Sequence, residues 1–311
     1  MTPIKTIDAE VAGEAMRLIV DGAPSVTGRT MADKLASLRK HGGEFRKLLM
    51  LEPRGHAGMH GAMLTAPVSA HAHTGLLSMH AAGFPLVSGE GIIAAVTIAL
   101  DHKLIEGVEG ELIVDTAVGV FRARRRMTTV SVSGVPSFVH TAGLAVRIGS
   151  RPITVDIAFG GQFYVIADSE AIGIPIDMAN AAALIRMGRE IKEAVESTVH
   201  VQHPVDRTLK DVHGTIFTGA PRAAADLRSA TVLDGAVLRR SPGVTGTAAV
   251  MAVLNAMGLL TVEHRFTHEG ILGTTLYGSI DSQQQLGDVA AVVPVIEGSA
   301  SITGFHEFVS N

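Results

Sequence analysis

Two stretches of the chain, Ile92 to Leu100 and Ala248 to Leu260, are rich in Ala, Leu, Met and Val and read as apolar helices. Each follows a run of small and hydroxyl-bearing residues of the kind that caps a helix: Val87-Ser88-Gly89-Glu90-Gly91 before the first, Ser241-Pro242-Gly243-Val244-Thr245-Gly246-Thr247 before the second. The amides at such a start attract anions, so each segment suits a small carboxylate. Thr30 to Gly42 reads as another helix, and Ile176 to Ser197 has the spacing of a long amphipathic one. Strand patterns cover Ile4 to Asp8, Met16 to Val20 and Ala62 to Pro67. A denser series follows: Glu111 to Val114, Val118 to Arg122, Thr128 to Val132, Leu144 to Ile148, Thr154 to Phe159 and Phe163 to Ala167. These short, often alternating runs are separated by Gly, Asp or Pro and predict an antiparallel meander. Ile216 to Gly219, Ser229 to Leu233 and Leu276 to Ser279 return to strand. The class is α+β. The rise in strand density places a domain boundary near Arg126, giving domains 1–126 (with roughly 297–311) and 127–296.

With 311 residues, 47% of them hydrophobic, the chain can bury a large core and fill two domains. No run approaches the roughly 18 apolar residues of a membrane span. The start, Met1-Thr2-Pro3-Ile4-Lys5-Thr6, lacks a basic and then apolar leader, and a cytoplasmic location is expected. A net charge of −4 gives no electrostatic reason for a nucleic acid or anionic membrane partner, and the absence of Trp argues against base stacking. The chain has no cysteine, which excludes disulfides and thiolate metal sites.

Several local patterns have plainer readings. The run Phe121 to Arg126 holds four arginines and is expected as a strand edge with solvated side chains. His56, His60, His71, His73 and His80 fall close together, but no acidic ligand stands at a characteristic spacing, and His71 and His73 are expected on an exposed turn. No metal site is expected. Ser88 lacks the Gly two residues before it that a hydrolase nucleophile turn wants, since position 86 is Leu. The second glycine cluster lacks the Lys of a phosphate-binding loop. Met178, Met187, Met251 and Met257 are expected as core filler.

Collinear motifs make the chain resemble the proline racemase family, which includes hydroxyproline 2-epimerases and trans-3-hydroxyproline dehydratases. They are Ile7-Asp8 with Ala12-Gly13-Glu14, Glu52-Pro53-Arg54-Gly55-His56-Ala57, Met79-His80 with the loop after it, Phe159-Gly160-Gly161-Gln162-Phe163-Tyr164-Val165, Ser241-Pro242 with Thr245-Gly246-Thr247, and Gly298 to Gly304. The resemblance implies two domains of the diaminopimelate-epimerase-like type, with curved antiparallel sheets wrapping central helices and the active site between them. It implies no cofactor, a small carboxylate or imino-acid ligand, and leaves a homodimer open. Racemases and epimerases of that family place a thiol at each helix start, one to remove the α-proton and one to deliver a proton to the opposite face.

Here Ser88 stands at the first thiol position and Gly243 at the second. Gly243 can neither accept nor donate a side-chain proton. Glu90 occupies the position where the family's loop carries His, and Arg239 the position where it carries Asp, both of which contact the ring nitrogen. The two could form an ion pair or bind a differently charged ligand. Val244 replaces a small Gly, while Gly89, Thr245 and Gly246 still offer a carboxylate cradle. The expectation is a diverged member without proline racemase or 4-hydroxyproline 2-epimerase activity and with little trans-3-hydroxyproline dehydratase activity. Two alternatives stand beside it: a one-base lyase in which Ser88, assisted by Glu90, removes the α-proton, and a non-catalytic carboxylate-binding protein.

Overall fold

The computed structural model describes residues 3–106, 108 and 110–309; the ends of the expected domains, 1–2 and 310–311, lie outside these. The chain divides into two compact units, residues 1–134 with 297–311, and residues 135–296. The dividing point falls at Gly134 rather than at Arg126 because the next strand pairs back on the one before it, with Arg126 opposite Thr129.

The first unit contains β1 (Ile4–Val11), β2 (Glu14–Asp21), β3 (His60–Thr65), β4 (Thr74–His80), β5 (Glu111–Thr116), β6 (Gly119–Arg126) and β7 (Thr129–Ser133). These neighbour one another in order, and the last strand of the chain, Val289–Phe308, joins β7 and returns to β1, closing the ring. Three helices accompany it: α1 (Met31–His41), α2 (Gly43–Met50) and α3 (Gly89–Asp101). Every residue of α3 from Gly89 to Ala99 is buried, and the helix packs on β1, β2, β3, β6 and β7. It is the central helix of this unit. On α1, Thr30 Oγ1 accepts from Asp33 N while the Asp33 carboxylate accepts from Thr30 N, a reciprocal cap that fixes the helix start. Met31, Leu35, Leu38, Leu49 and Met50 then form an apolar layer with Ile19, Met63, Leu77 and Met79.

The second unit repeats the plan. Its strands are β8 (Ser137–Ile148), β9 (Arg151–Phe159), β10 (Phe163–Asp168), β11 (Val212–Gly219), β12 (Leu227–Leu233), β13 (Val237–Leu238), β14 (Phe266–Glu269) and β15 (Thr275–Leu286). The ring runs β8, β9, β10, β11, β12, β14, β15 and then β16 (Val289–Phe308), which returns to β8; β13 pairs β12 alone. Of β16, residues up to Ile296 belong to this unit and those from Glu297 to the first. Its helices are α4 (Ser169–Ile172), α5 (Ala181–Thr198) and α6 (Val244–Ala256). From Val244 to Val253, α6 is buried throughout and packs on β8, β9, β10 and β15, while α5 offers one stripe, Leu184, Gly188, Ile191 and Val195.

Three expectations change. The arginine run lies on β6, which is paired on both sides and is not an edge; alternation alone sends Arg122 and Arg124 outward, where Glu111 meets both. Met178 and Met257 are exposed, because one sits in a 3-10 turn before α5 and the other caps the end of α6; Met251 is fully buried. The apolar run after Ala248 stops being helical at Met257, since Gly258 takes a left-handed φ of +73°.

Candidate active site

In the first unit, Ser88 caps α3. Its backbone is extended (φ −126°, ψ 115°), and Oγ accepts from Gly91 N at 3.0 Å. Gly89 and Glu90 fill the first helical positions, and Ser88, Gly89, Glu90 and Gly91 are all buried. A carboxylate in the first turn, as at Glu90, is favoured by the helix dipole. Gly91 sits close to the cap: a β-carbon there would lie 3.2 Å from Ser88 Oγ, which would have to shift by a few tenths of an ångström, and in ordinary contact, 3.5 Å, with Met16 Cε.

The structure adds a polar set to this helix start that sequence reasoning missed as a group. Met16 on β2 pairs with His60 on β3, and His60 pairs with His80 on β4. Adjacent strands send paired residues to the same face, so the two imidazoles lie beside the methionine that reaches the first turn of α3. Their ring centroids are 5.8 Å apart. His60 Nε2 is 3.6 Å from Glu14 Oε1, with both side chains buried. His80 Nδ1 accepts from Ala82 N at 3.1 Å, which leaves the proton of a neutral ring on Nε2. Glu14 and His80 were quoted in family motifs; only strand register places them together with His60. His71 and His73 are exposed on a turn, and among the described residues no group of three metal-ligand types is arranged for a metal ion.

In the second unit, Gly243 caps α6 without a side chain, at φ +83° and ψ 125°. An L-residue adopts such a backbone only under strain. Ser241 Oγ accepts from Gly243 N at 3.0 Å. The amides of residues 244–246 have no carbonyl within the helix, as at any helix start. Val244 and Thr245 are buried, and Thr245 Oγ1 is 2.7 Å from Tyr164 Oη. One turn on, Thr247 Oγ1 is 2.9 Å from Nδ1 of His268, whose basicity burial pushes down to about 3. Arg239 is buried, and its amide donates to Thr231 O. Thus Ser88, Gly89 and Glu90 share one helix start, Gly243, Val244 and Thr245 form the other, and Arg239 precedes Gly243 in the chain, its backbone held to Thr231.

Two rings of strands, each packed around a buried helix whose start carries small and hydroxyl residues, make up the fold of the described residues. The chain belongs to the proline racemase family, whose model matches residues 6–311. It is 39% identical to a trans-3-hydroxy-L-proline dehydratase of Bacillus cereus over 98% of this chain and 93% of that one. It is 33% identical to a proline racemase of Clostridioides difficile, covering 98% of this chain and 94% of the relative. A crystal structure of a hydroxyproline epimerase from Agrobacterium vitis with bound trans-4-hydroxy-L-proline superposes with a TM-score of 0.91. That pair shares 28% identity and covers 98% of this chain and 92% of the other.

Proposed function

We propose that this chain is a one-base member of its family: a lyase that removes water from a small cyclic β-hydroxy amino acid, with trans-3-hydroxy-L-proline as the substrate to test, and that it does not racemise proline or epimerise 4-hydroxyproline. The observation that carries the reading is Gly243, which caps α6 with no side chain. Inversion needs a proton acceptor on one face of the α-carbon and a donor on the other. Elimination needs only the acceptor. In this reading the ligand carboxylate is held by the helix-start amides, and the Ser88 hydroxyl takes the α-proton as its own proton passes to the Glu90 carboxylate. The C–H electron pair forms the Cα=Cβ bond, and the β-hydroxyl leaves as water with the proton from Glu90. A serine hydroxyl is a weak acid and needs such a neighbouring base. Relatives called dehydratases, at 39% and 34% identity, favour the lyase alternative over both the silent binder and the expectation of little dehydratase activity drawn from the sequence.

The test incubates the purified protein with trans-3-hydroxy-L-proline, L-proline and trans-4-hydroxy-L-proline, following product by NMR and configuration by chiral chromatography. Loss of the β-hydroxyl from the first, without inversion of the other two, is expected. Robust inversion of either would overturn the reading of Gly243. Stabilisation of the fold by these ligands without any turnover would favour the non-catalytic carboxylate binder.

A further inference from the structure

The segment Phe159-Gly160-Gly161-Gln162-Phe163-Tyr164 has no part in the chemistry just described, yet it is built around the first turn of α6. Phe159 and Phe163 pair in register on β9 and β10, and their rings lie 4.9 Å apart. With Phe138 and His203, at 5.3 and 4.9 Å from Phe159, they form an aromatic cluster that anchors the turn. Tyr164, the next residue along β10, points to the opposite face and reaches α6. Between them, Gly160 brings the turn into backbone contact with the helix: a β-carbon there would fall 2.2 Å from Thr245 O and 2.5 Å from Ala249 N.

We infer that Tyr164 is a positioning residue for Thr245, fixing its hydroxyl as a donor toward the ligand carboxylate. The inference rests on the carboxylate-cradle reading above. A hydroxyl has one proton to give. In the 2.7 Å contact either oxygen could donate. An anion at the start of α6 selects one direction: Tyr164 Oη donates to Thr245 Oγ1, which leaves the Thr245 proton for the carboxylate, and the chain of two hydroxyls polarises toward the charge. Both side chains are buried, so water does not compete for either.

Tyr164→Phe removes one oxygen and keeps the ring. With trans-3-hydroxy-L-proline and L-proline as probes, affinity measured by calorimetry should fall about twofold to tenfold, the range of one lost hydrogen bond between neutral groups. Any turnover should show that loss in KM with kcat within about twofold. Thr245→Val, which also removes the donor to the carboxylate, should lose at least that factor, Thr245→Ser should keep most of the affinity, and the Tyr164→Phe/Thr245→Val double variant should be no weaker than Thr245→Val alone. Equal binding by wild type and Tyr164→Phe, or additive losses in the double variant, overturns the role of Tyr164 alone. If the wild type binds neither probe, the cradle reading fails and this inference falls with it. Should Tyr164→Phe unfold at the assay temperature, the calorimetry is repeated on all variants below its unfolding midpoint, where the same outcomes decide.

Discussion

At the scale of single residues, Ser88 and Gly243 differ by more than a side chain. Ser88 has the extended backbone that any capping residue adopts and spends its hydroxyl on Gly91 N. Gly243 has a φ of +83°, where a β-carbon is strained whatever it carries. Installing a thiol at Gly243 is therefore expected to cost about 1–3 kcal/mol of stability, read as a lower urea midpoint, and Gly243→Ala should cost the same because the strain is in the backbone. The Ser88→Cys/Gly243→Cys variant is expected not to epimerise trans-4-hydroxy-L-proline, because Glu90 and Arg239 remain where the family resemblance puts a His and an Asp. Efficient inversion by that variant would show the backbone and both charges to be tolerated. Ser88 and Gly243 were legible in the sequence because capping is local: small and hydroxyl residues, then an apolar run. The Tyr164 contact was not, since its partner is 81 residues away and nothing in either residue type announces the other.

At the scale of elements, the same division between local and distant causes holds. The helix expected over Thr30 to Gly42 is α1, with those two residues as its caps, because Thr30, Asp33 and Gly42 carry their signals within four residues of the ends. The strand Val289–Phe308, the longest of the chain, was missed although it closes both rings. Its outer half alternates among small and polar residues, Gly298 to Gly304, and what makes it a strand is pairing with β1 rather than its own composition. The turn before β10 tightly limits substitution at Gly160. Gly160→Ala would push a methyl group into Thr245 O and Ala249 N, which are backbone atoms of α6 and cannot rotate away. A loss of about 1–3 kcal/mol or more is expected from such overpacking. Gly83→Ala, with open space around it and no left-handed φ, should cost little. Comparing the two by urea unfolding separates the steric contribution; equal losses would mean that Gly160 is not a close approach.

At the scale of the molecule, the two units share a plan, and in the second the interior holds histidines whose basicity burial lowers: His140, His203 and His268, the last to about 3. Asp206 works against burial at His203, and the ring nitrogen there accepts from two backbone amides, which a protonated ring could not do from that atom. In the unfolded chain each histidine takes up a proton near pH 6.5. Below that pH the unfolded state therefore binds more protons than the folded one, and stability falls as the pH falls; above it both states are neutral and the contribution is constant. The loss from His268 alone should approach about 1.4 kcal/mol per pH unit well below 6.5 and continue down to its folded value of about 3. The lowered carboxylates Glu44, Glu111 and Asp177 add their own loss only near and below their ordinary range, so the interval between about pH 6.5 and 5 isolates the histidines. Hydrogen exchange across that interval is expected to show amides around His140, His203 and His268 losing protection as the pH falls. His268→Gln, which keeps a polar side chain but removes the titration, should be less stable at pH 7.5 yet show a shallower pH dependence. A pH slope unchanged in that variant would mean that His268 is protonated in the folded protein, and that Thr247 does not hold a neutral ring.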